Sequence, residues 1–346
     1  MKIKAFITHK QAELFSNCQD RFGVNVDTKS VAVSDGMGAT WQQKIWAQLL
    51  VDEFINSEDW LPDIDTIKPL CSKWRKEVEA YIQHLKDTNA PEYLIRMNKR
   101  SLLEGRSAGA TFVGIRFNEK TWSGSVLGDS CLIEWNGHEA KFHTSQNRET
   151  FDNFPDYFDS DVKKTGKGAP KLIDGILADG DCLLLVSDPL SDFLLKNYNR
   201  GHKWQYISQL LGISSHEEFE TLVARWRKEG MHDDDTTLVI VDNDGLDDFS
   251  IVVSDDIDTL IEKENLGEKQ EQKANNEPKV CKEEQIKKEN EIALVVNEDS
   301  APIDENTFIE EFSNKLKNRK KEKKVLIKDV VSTLKKMFEK YTIFKK

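Results

Sequence analysis

Several short apolar stretches of the sequence end, or begin, at an aspartate. Ser30–Gly38 reads SVAVSDGMG, where an apolar run too short for a helix predicts a buried strand that stops at Asp35-Gly36. Cys182–Asp188 (CLLLVSD) and Trp122–Ser130 (WSGSVLGDS) repeat this arrangement. Asp233–Val241 (DDDTTLVIV) reverses it, with carboxylates before the strand. Carboxylates at the ends of several core strands would converge in a folded domain.

Such a gathering of carboxylates restricts the chemistry of the site. Like charges repel and lose hydration when they are brought together, so they need cations or must take up protons. Asp20, in NCQDRFGV, leads into another predicted strand and adds a further carboxylate. All-oxygen ligands suit hard cations such as Mg²⁺ or Mn²⁺ better than Zn²⁺. Taken singly, an Asp-Gly after a strand is usually an ordinary turn.

The order of the predicted elements indicates an α+β fold. Helical periodicity follows Ala39, covers about residues 64–87, resumes after Pro91 and returns within residues 190–229. The remaining segments predict strands, and Asn136-Gly137 is a strong hairpin signal. Strand blocks joined by hairpins and separated by helix blocks predict antiparallel sheets. Residues 147–171 are polar and predict a surface loop. We interpret Asp174, Asp179 and Asp181 as structural residues of a turn before a strand.

Charge is distributed unevenly along the 346 residues. The net charge is −12 and the isoelectric point about 5.2, which argues against nucleic acid as the main partner. Residues 315–346 nevertheless carry 13 Lys and Arg against 3 acids, a net +10, which leaves −22 for the residues before them. The five cysteines are scattered and odd in number, which favours free thiols in a reducing compartment. The start of the chain lacks the apolar core of a signal peptide, so we predict a cytoplasmic protein.

Composition predicts three regions. Residues 1–255 form the folded domain. Residues 256–305 form a polar linker, and its part rich in Glu, Lys, Gln and Asn, residues 262–290, predicts either disorder or a loose solvated helix. Residues 306–346 form a basic amphipathic helical segment with an apolar stripe at Leu326, Val330, Leu334, Met337 and Tyr341. Three roles are open for this segment: docking on its own domain, docking on a partner protein, or attachment to an anionic membrane surface.

Six motifs together carry a family resemblance. NCQD, SDGMG, AGATFVG, GDS, SDPL and DDDTTLVIV follow one another in the order seen in the metal-dependent type 2C protein phosphatases, the PPM family. The chain resembles the bacterial members most, over about residues 1–253. The resemblance implies two packed antiparallel sheets with helices on both outer faces and a metal site at one end of the sandwich.

The resemblance also implies an activity and a set of ligands. The family hydrolyses phosphoserine and phosphothreonine in proteins with a hydroxide activated at a binuclear Mn²⁺ or Mg²⁺ centre. Asp35 would bridge the two ions, the Gly36 carbonyl would be a further ligand, and Asp188 and Asp234 match the other metal-binding aspartates. Asp20 matches an aspartate that is a ligand or holds water. Asp129 matches one that helps to bind a weaker third ion in bacterial members.

Three positions depart from the family pattern. Phe15 stands where many members have a phosphate-binding arginine, and His9 and Lys10 are the nearest replacements. Met37 stands where some members have histidine, and Pro189 replaces the usual glycine after Asp188. Asp233 or Asp235 could also exchange roles with Asp234 through a shift of the alignment.

Three functions are therefore open. The first is a Mn²⁺- or Mg²⁺-dependent protein serine/threonine phosphatase whose partners are phosphoproteins. The second is a catalytically weak domain of the same fold that binds phosphoproteins or regulators, as Phe15 and Pro189 suggest. The third is a metal-binding structural domain unrelated to phosphatases.

Overall fold

A computed structural model describes residues 1–145, 155–164, 166–202, 204–245 and 248–276, with side chains in the last helix described to residue 266. The chain divides into two units, of which the first is Met1–Asn275. The strands are β1 (Lys2–Thr8), β2 (Arg21–Asn25), β3 (Ser30–Ser34), β4 (Gly109–Ala110), β5 (Phe112–Asn118), β6 (Thr121–Leu127), β7 (Cys131–Trp135), β8 (Ala140–His143), β9 (Phe158–Asp159), β10 (Lys171–Ile176), β11 (Cys182–Val186), β12 (Thr236–Asp242) and β13 (Ser250–Ser254). The helices are α1 (Gln43–Asn56), α2 (Lys68–Asp87), α3 (Glu92–Leu103), α4 (Asp188–Asn199), α5 (Gln205–Leu211), α6 (His216–Lys228) and α7 (Ile257–Asn276).

Two sheets form the centre of this unit. One has six strands in the order β13-β1-β12-β11-β7-β8, and the other has five in the order β10-β6-β5-β3-β2. A short third sheet pairs β4 with β9. Every described pairing is antiparallel except that of β13 with β1. The predicted α+β fold with packed antiparallel sheets is confirmed.

Three apolar layers hold the sheets and helices together. The inner layer joins the two sheets through residues such as Ile3, Val33, Val113, Leu183 and Val239. A second layer lies between the five-stranded sheet and α1 and α2, and includes Ala32, Phe112, Leu127, Trp46, Leu50 and Trp74. A third lies between the six-stranded sheet and helices α4–α6, and includes Leu184, Leu238, Leu190, Phe219 and Trp226. Helices therefore cover both outer faces, as predicted.

The registers bring many strand ends to one edge of the sandwich. In the five-stranded sheet, the start of β2 pairs with the end of β3 at Arg21 and Ser34. In the six-stranded sheet, the end of β1 pairs with the start of β12 at Thr8 and Thr236. The end of β11 lies beside the start of β7 at Val186. Each aspartate of the predicted site follows or precedes one of these ends.

The structure differs from the prediction in two segments. Residues 171–176 form the edge strand β10, so Asp174 lies in a strand and not in a turn. Residues 257–276, placed in the predicted linker, form α7, and Leu260 of this helix is buried against Ile7 and Phe15.

The rest of the predicted linker and the basic C-terminal segment lie outside the described residues, so the division at residue 255 stays a prediction. Cys18, Cys71 and Cys182 are buried free thiols, Cys131 is buried as well, and Cys281 lies outside the described residues. Within the described ranges, no helix is both long and apolar enough to cross a membrane.

Candidate metal centre

Asp35, Asp188, Asp129 and Asp234 gather at one end of the sandwich. Burial and the charges of Asp188, Asp129 and Asp234 together raise the pKa of the Asp35 carboxyl well above its ordinary value. Burial, followed by the charges of Asp129, Asp234 and Asp20, does the same to the pKa of Asp188. Residues from four separate strand ends thus act on one another, although they are as many as 199 residues apart in the sequence, as Asp35 and Asp234 are.

Asp20 is the most deeply buried member of this group. Its side chain has no exposed surface, and its Oδ2 accepts a hydrogen bond of 2.8 Å from the Thr237 hydroxyl. Its Oδ1 is buried without a hydrogen-bond partner. Burial and the charges of Asp35 and Asp235 raise the pKa of Asp20 well above its ordinary value. A buried carboxylate oxygen without a donor is costly, and a cation would offset that cost.

The loop after β3 holds Asp35 by its backbone. The Thr111 N–H donates to the Asp35 carbonyl at 2.9 Å, and the Met37 N–H donates to the Gly109 carbonyl at 3.0 Å. Neither bond uses the carbonyl of Gly36, the residue between them. A Cβ on Gly36 would lie 2.9 Å from the Gln43 side chain and 3.0 Å from the Gln19 carbonyl. A larger residue here would have to displace the Gln43 side chain and press on the Gln19 carbonyl, so glycine fits this close approach best.

Asp188 begins α4. Pro189 lies in the first turn of that helix, where its fixed φ and missing N–H are tolerated. The substitution of proline for the family's glycine therefore coincides with a helix start. The Ser191 hydroxyl donates to the carbonyls of both Asp129, at 2.8 Å, and Asp188, at 3.0 Å. This serine ties the turn that carries Asp129 to the first turn of α4.

The three consecutive aspartates before β12 have different partners. Asp234 is the one that acts on Asp35 and Asp188. Asp235 is buried, and its two oxygens accept the backbone N–H groups of Lys10 at 3.0 Å and Gln19 at 2.7 Å. Asp233 is exposed and accepts the Gln11 N–H. The geometry therefore favours Asp234, among the three, as the candidate ligand.

Arg227 holds the backbone next to these aspartates. Its guanidinium donates to the backbone carbonyls of Asp234 at 2.7 Å and His9 at 3.1 Å, and its Nε lies 3.2 Å from Asp233. The side chain is only 7% exposed. Sequence reasoning missed this residue because its position near the end of α6 lies outside every motif. Thr237, whose hydroxyl donates to Asp20, was also missed, although it lies inside the motif DDDTTLVIV. A hydroxyl beside the aspartates was the signal that could have identified it.

The two residues predicted to bind phosphate lie in different surroundings. The Lys10 ammonium is 2.9 Å from Asp234 Oδ1, within the group of aspartates. The His9 ring instead packs edge-on against Phe15, at 4.5 Å between ring centroids, and its Nε2 lies 3.9 Å from Glu264 of α7. Phe15 itself is buried. The structure brings Lys10, and not the His9 ring, to the carboxylates.

The donor set fits a hard divalent cation. Among the described residues, no three or more His, Cys, Asp or Glu side chains are arranged as a ready metal-binding group. The site still offers five carboxylates, a glycine carbonyl outside the loop's two hydrogen bonds, and the unpartnered buried oxygen of Asp20. Oxygen ligands of this kind match Mg²⁺ or Mn²⁺.

Similarity to known proteins is found among solved structures. No protein-family model matches the chain, and neither does any curated protein. PppA, a regulatory component of the type VI secretion system in Pseudomonas aeruginosa, shares 18% identity over 69% of this chain and 96% of its own, with a TM-score of 0.44. The Mycobacterium tuberculosis serine/threonine phosphatase PstP/Ppp shares 17% sequence identity over 69% of this chain and 97% of its own, with a TM-score of 0.44.

A catalytic domain of PstP in complex with two manganese ions shares 16% identity over 69% of this chain and 96% of its own, with a TM-score of 0.43. At these identities and TM-scores the similarity carries no inference about activity.

Proposed function

We propose that this chain is a Mn²⁺- or Mg²⁺-dependent phosphomonoester hydrolase that acts on phosphoserine and phosphothreonine in proteins. One observation carries the proposal: five aspartates from separate strand ends act on one another at one end of the sandwich, and the buried Oδ1 of Asp20 has no hydrogen-bond partner. The six motifs in the order of the type 2C phosphatases support it.

Each carboxylate has a role in this proposal. Asp35, Asp188 and Asp234, with the Gly36 carbonyl, would hold two ions; Asp20 would be a ligand or hold water, and Asp129 would help to hold a third ion. When bound, the ions would activate water for attack and neutralise the phosphate and the leaving oxygen. Thr237 would fix the orientation of Asp20, and Arg227 would fix the backbone at Asp234.

Phosphate binding would fall to Lys10. The arginine that many type 2C phosphatases use is replaced by the buried Phe15, which has no donor to offer. Lys10 places an ammonium at the group of aspartates, where a phosphate dianion would meet it. His9 is the weaker candidate because its ring faces Phe15 and Glu264.

A second candidate function is a domain that binds phosphoproteins with little catalysis. It is favoured by the absence, among the described residues, of a ready metal-binding group, and by Phe15 at the arginine position. The five aspartates argue against it, because phosphopeptide binding alone does not require clustered negative charge.

Titration of metal-stripped protein with Mn²⁺ separates the two functions. Hydrolysis of p-nitrophenyl phosphate and of a phosphothreonine peptide should appear with Mn²⁺ or Mg²⁺ and disappear with chelator. Peptide binding without turnover at saturating Mn²⁺ would identify the binding domain instead. Mn²⁺ that neither binds nor raises the unfolding temperature would contradict the metal centre itself.

The basic segment 306–346 would serve to recruit a partner. Its net positive charge and apolar stripe fit an anionic protein or membrane surface. A chain that ends at residue 305 should keep small-substrate turnover but lose a salt-sensitive part of protein dephosphorylation. Loss of small-substrate turnover in that chain would contradict the separation of these two roles.

A further inference from the structure

Lys10 places a positive charge directly on a candidate metal ligand. Its Nζ lies 2.9 Å from Asp234 Oδ1, and its side chain is 23% exposed. At this distance the ammonium donates a hydrogen bond to the carboxylate and acts as the counter-ion of Asp234.

The same charge reaches a second candidate ligand. The Lys10 ammonium also interacts electrostatically with Asp188, at the start of α4. Lys10 is thus attracted to two aspartates that would hold a divalent cation. An ammonium and a divalent cation at the same carboxylates compete, since each is attracted by the anions and repelled by the other.

The backbone and the side chain of Lys10 differ in their freedom to move. The backbone N–H is held by the buried carboxylate of Asp235 at 3.0 Å, which is itself fixed by the Gln19 N–H. The ammonium is held by one carboxylate at the edge of solvent. A lysine side chain has a flexible four-carbon stem and rotatable donors, so it can exchange one anion for another while its backbone stays in place.

We propose that Lys10 is a charge switch that couples cation binding to phosphate binding, which rests on the proposed function. Without a divalent cation, the Lys10 ammonium neutralises Asp234. With the cation present, the ammonium is repelled from Asp234 and is available to the phosphate group of the substrate. Lys10 therefore lowers the affinity of the centre for metal and raises the affinity of the loaded centre for phosphate.

Calorimetric titration of the metal-stripped full chain with Mn²⁺ tests the first half. An opposite charge at this range changes the cation affinity of a carboxylate by about tenfold or more, so Lys10→Met should bind Mn²⁺ about tenfold more tightly than wild type. Lys10→Arg keeps the charge and should stay near wild type. Lys120→Met is the matched control, because Lys120 pairs with Asp179 at 2.8 Å on the opposite end of the sandwich.

Titration of the Mn²⁺-loaded proteins with inorganic phosphate tests the second half. Loss of a charge-assisted hydrogen bond should weaken phosphate binding by about tenfold in Lys10→Met, with no change in Lys120→Met. Tighter binding of Mn²⁺ together with weaker binding of phosphate in the same variant is the result that identifies the switch. A misfolded centre would bind both more weakly.

Three results in Lys10→Met would overturn the switch: an unchanged affinity for Mn²⁺, an unchanged affinity for phosphate, or a lower affinity for both. These differ from a failure of the proposed function. If wild-type protein binds no Mn²⁺ at all, the metal centre is contradicted and the switch falls with it. If wild type and Lys10→Met bind Mn²⁺ equally, the metal centre stands and only the role of Lys10 is wrong.

Discussion

The two ends of the sandwich carry the same type of residue in different electrostatic settings. At the end opposite the candidate centre, Asp179 is exposed and accepts a hydrogen bond of 2.8 Å from Lys120, which lowers the pKa of its carboxyl. Asp244 there lies 2.8 Å from the Lys2 ammonium. At the other end, burial and neighbouring carboxylates raise the pKa values of Asp20, Asp35 and Asp188.

The difference shows what distinguishes a turn from a candidate site. An aspartate at a strand end is ordinary when a lysine and solvent surround it, because its charge is then paired or hydrated. Aspartates that are removed from water and repel one another destabilise the fold. Such arrangements are concentrated at functional sites. The contrast between the two ends can be tested by removing one member from each.

The largest expected effect comes from Asp35→Asn compared with Asp179→Asn. Removal of the Asp35 charge should lower kcat/KM for p-nitrophenyl phosphate by at least about 100-fold, because the proposed metal centre loses one of its carboxylates. Metal-stripped Asp35→Asn should nevertheless be more stable than wild type, by about 1 kcal/mol, because repulsion is relieved. Asp179→Asn should change neither quantity appreciably. Rates at 25 °C and thermal unfolding of the metal-stripped proteins measure both.

A loss of stability in Asp35→Asn without a loss of rate would contradict the contrast between the ends. It would mean that Asp35 is a structural residue like Asp179. Equal effects of the two variants on rate would also contradict the assignment of the centre to one end.

The second effect concerns the support beneath the centre. Arg227→Met removes the donors to the carbonyls of His9 and Asp234 from a side chain that is almost fully buried, and should cost about 1–3 kcal/mol of unfolding free energy. It should also weaken Mn²⁺ binding, because the backbone that carries Asp234 is released. Arg225→Met is the control, since Arg225 is exposed on the same helix.

Urea unfolding and calorimetric Mn²⁺ titration provide the two measurements. Arg227→Lys keeps the charge but cannot reproduce the planar set of donors, so it should fall between wild type and Arg227→Met. Destabilisation without any change in Mn²⁺ affinity would show that Arg227 supports the fold and not the centre.

The sequence predicted the gathering of the aspartates better than it predicted the elements around them. The aspartates could be named because each stands at the end of a run of buried apolar residues, and antiparallel pairing brings such ends to one edge. Arg227 could not be predicted, because an arginine in a helix has the same local pattern whether its guanidinium faces water or a backbone carbonyl. Only the packing of α6 beneath β1 and β12 decides between the two.

Two elements of the fold could not be predicted from the sequence, for related reasons. In strand β10, Leu172 and Ile176 are exposed while Ile173 is buried, so the strand lacks the regular alternation of buried apolar and exposed polar residues that identifies a strand. Helix α7 is polar along most of its length, and its attachment depends on Leu260 and on Glu264, which accepts the Phe15 N–H at 3.1 Å. Composition indicates disorder where a few contacts at one end of a helix are enough to hold it.

Helix α7 gives a third expected effect at the centre's end of the sandwich. A chain that ends at residue 253 loses the buried Leu260 and the carboxylate of Glu264, and should unfold with about 2–4 kcal/mol less free energy than a chain that ends at residue 276. Leu260→Ala in the full chain should cost about 2 kcal/mol. Urea unfolding compares the three proteins. Equal stability of the two shortened chains would show that α7 is not part of the folded unit.

The smallest expected effect tests a carboxylate that is paired at the centre's own end. Asp255 follows β13, and its Oδ2 lies 2.6 Å from His216 Nδ1 and accepts the Ile7 N–H at 3.0 Å. Burial lowers the pKa of His216, but the hydrogen bonds to Asp255 and Glu220 outweigh it and raise the value to about 9. The imidazolium is thus favoured in the folded state. Its contribution to stability is full below the pKa of about 6.5 in the unfolded chain and is lost as the pH rises through 9.

His216→Gln should therefore cost about 1–2 kcal/mol of unfolding free energy at pH 6, after allowance for its partial exposure, and much less at pH 9.5. Urea unfolding at the two pH values measures the change, and His138→Gln, at an exposed position in the β7–β8 turn, is the control. A cost that is equal at both pH values would mean that His216 stabilises the fold by packing against Phe15 and not by its charge.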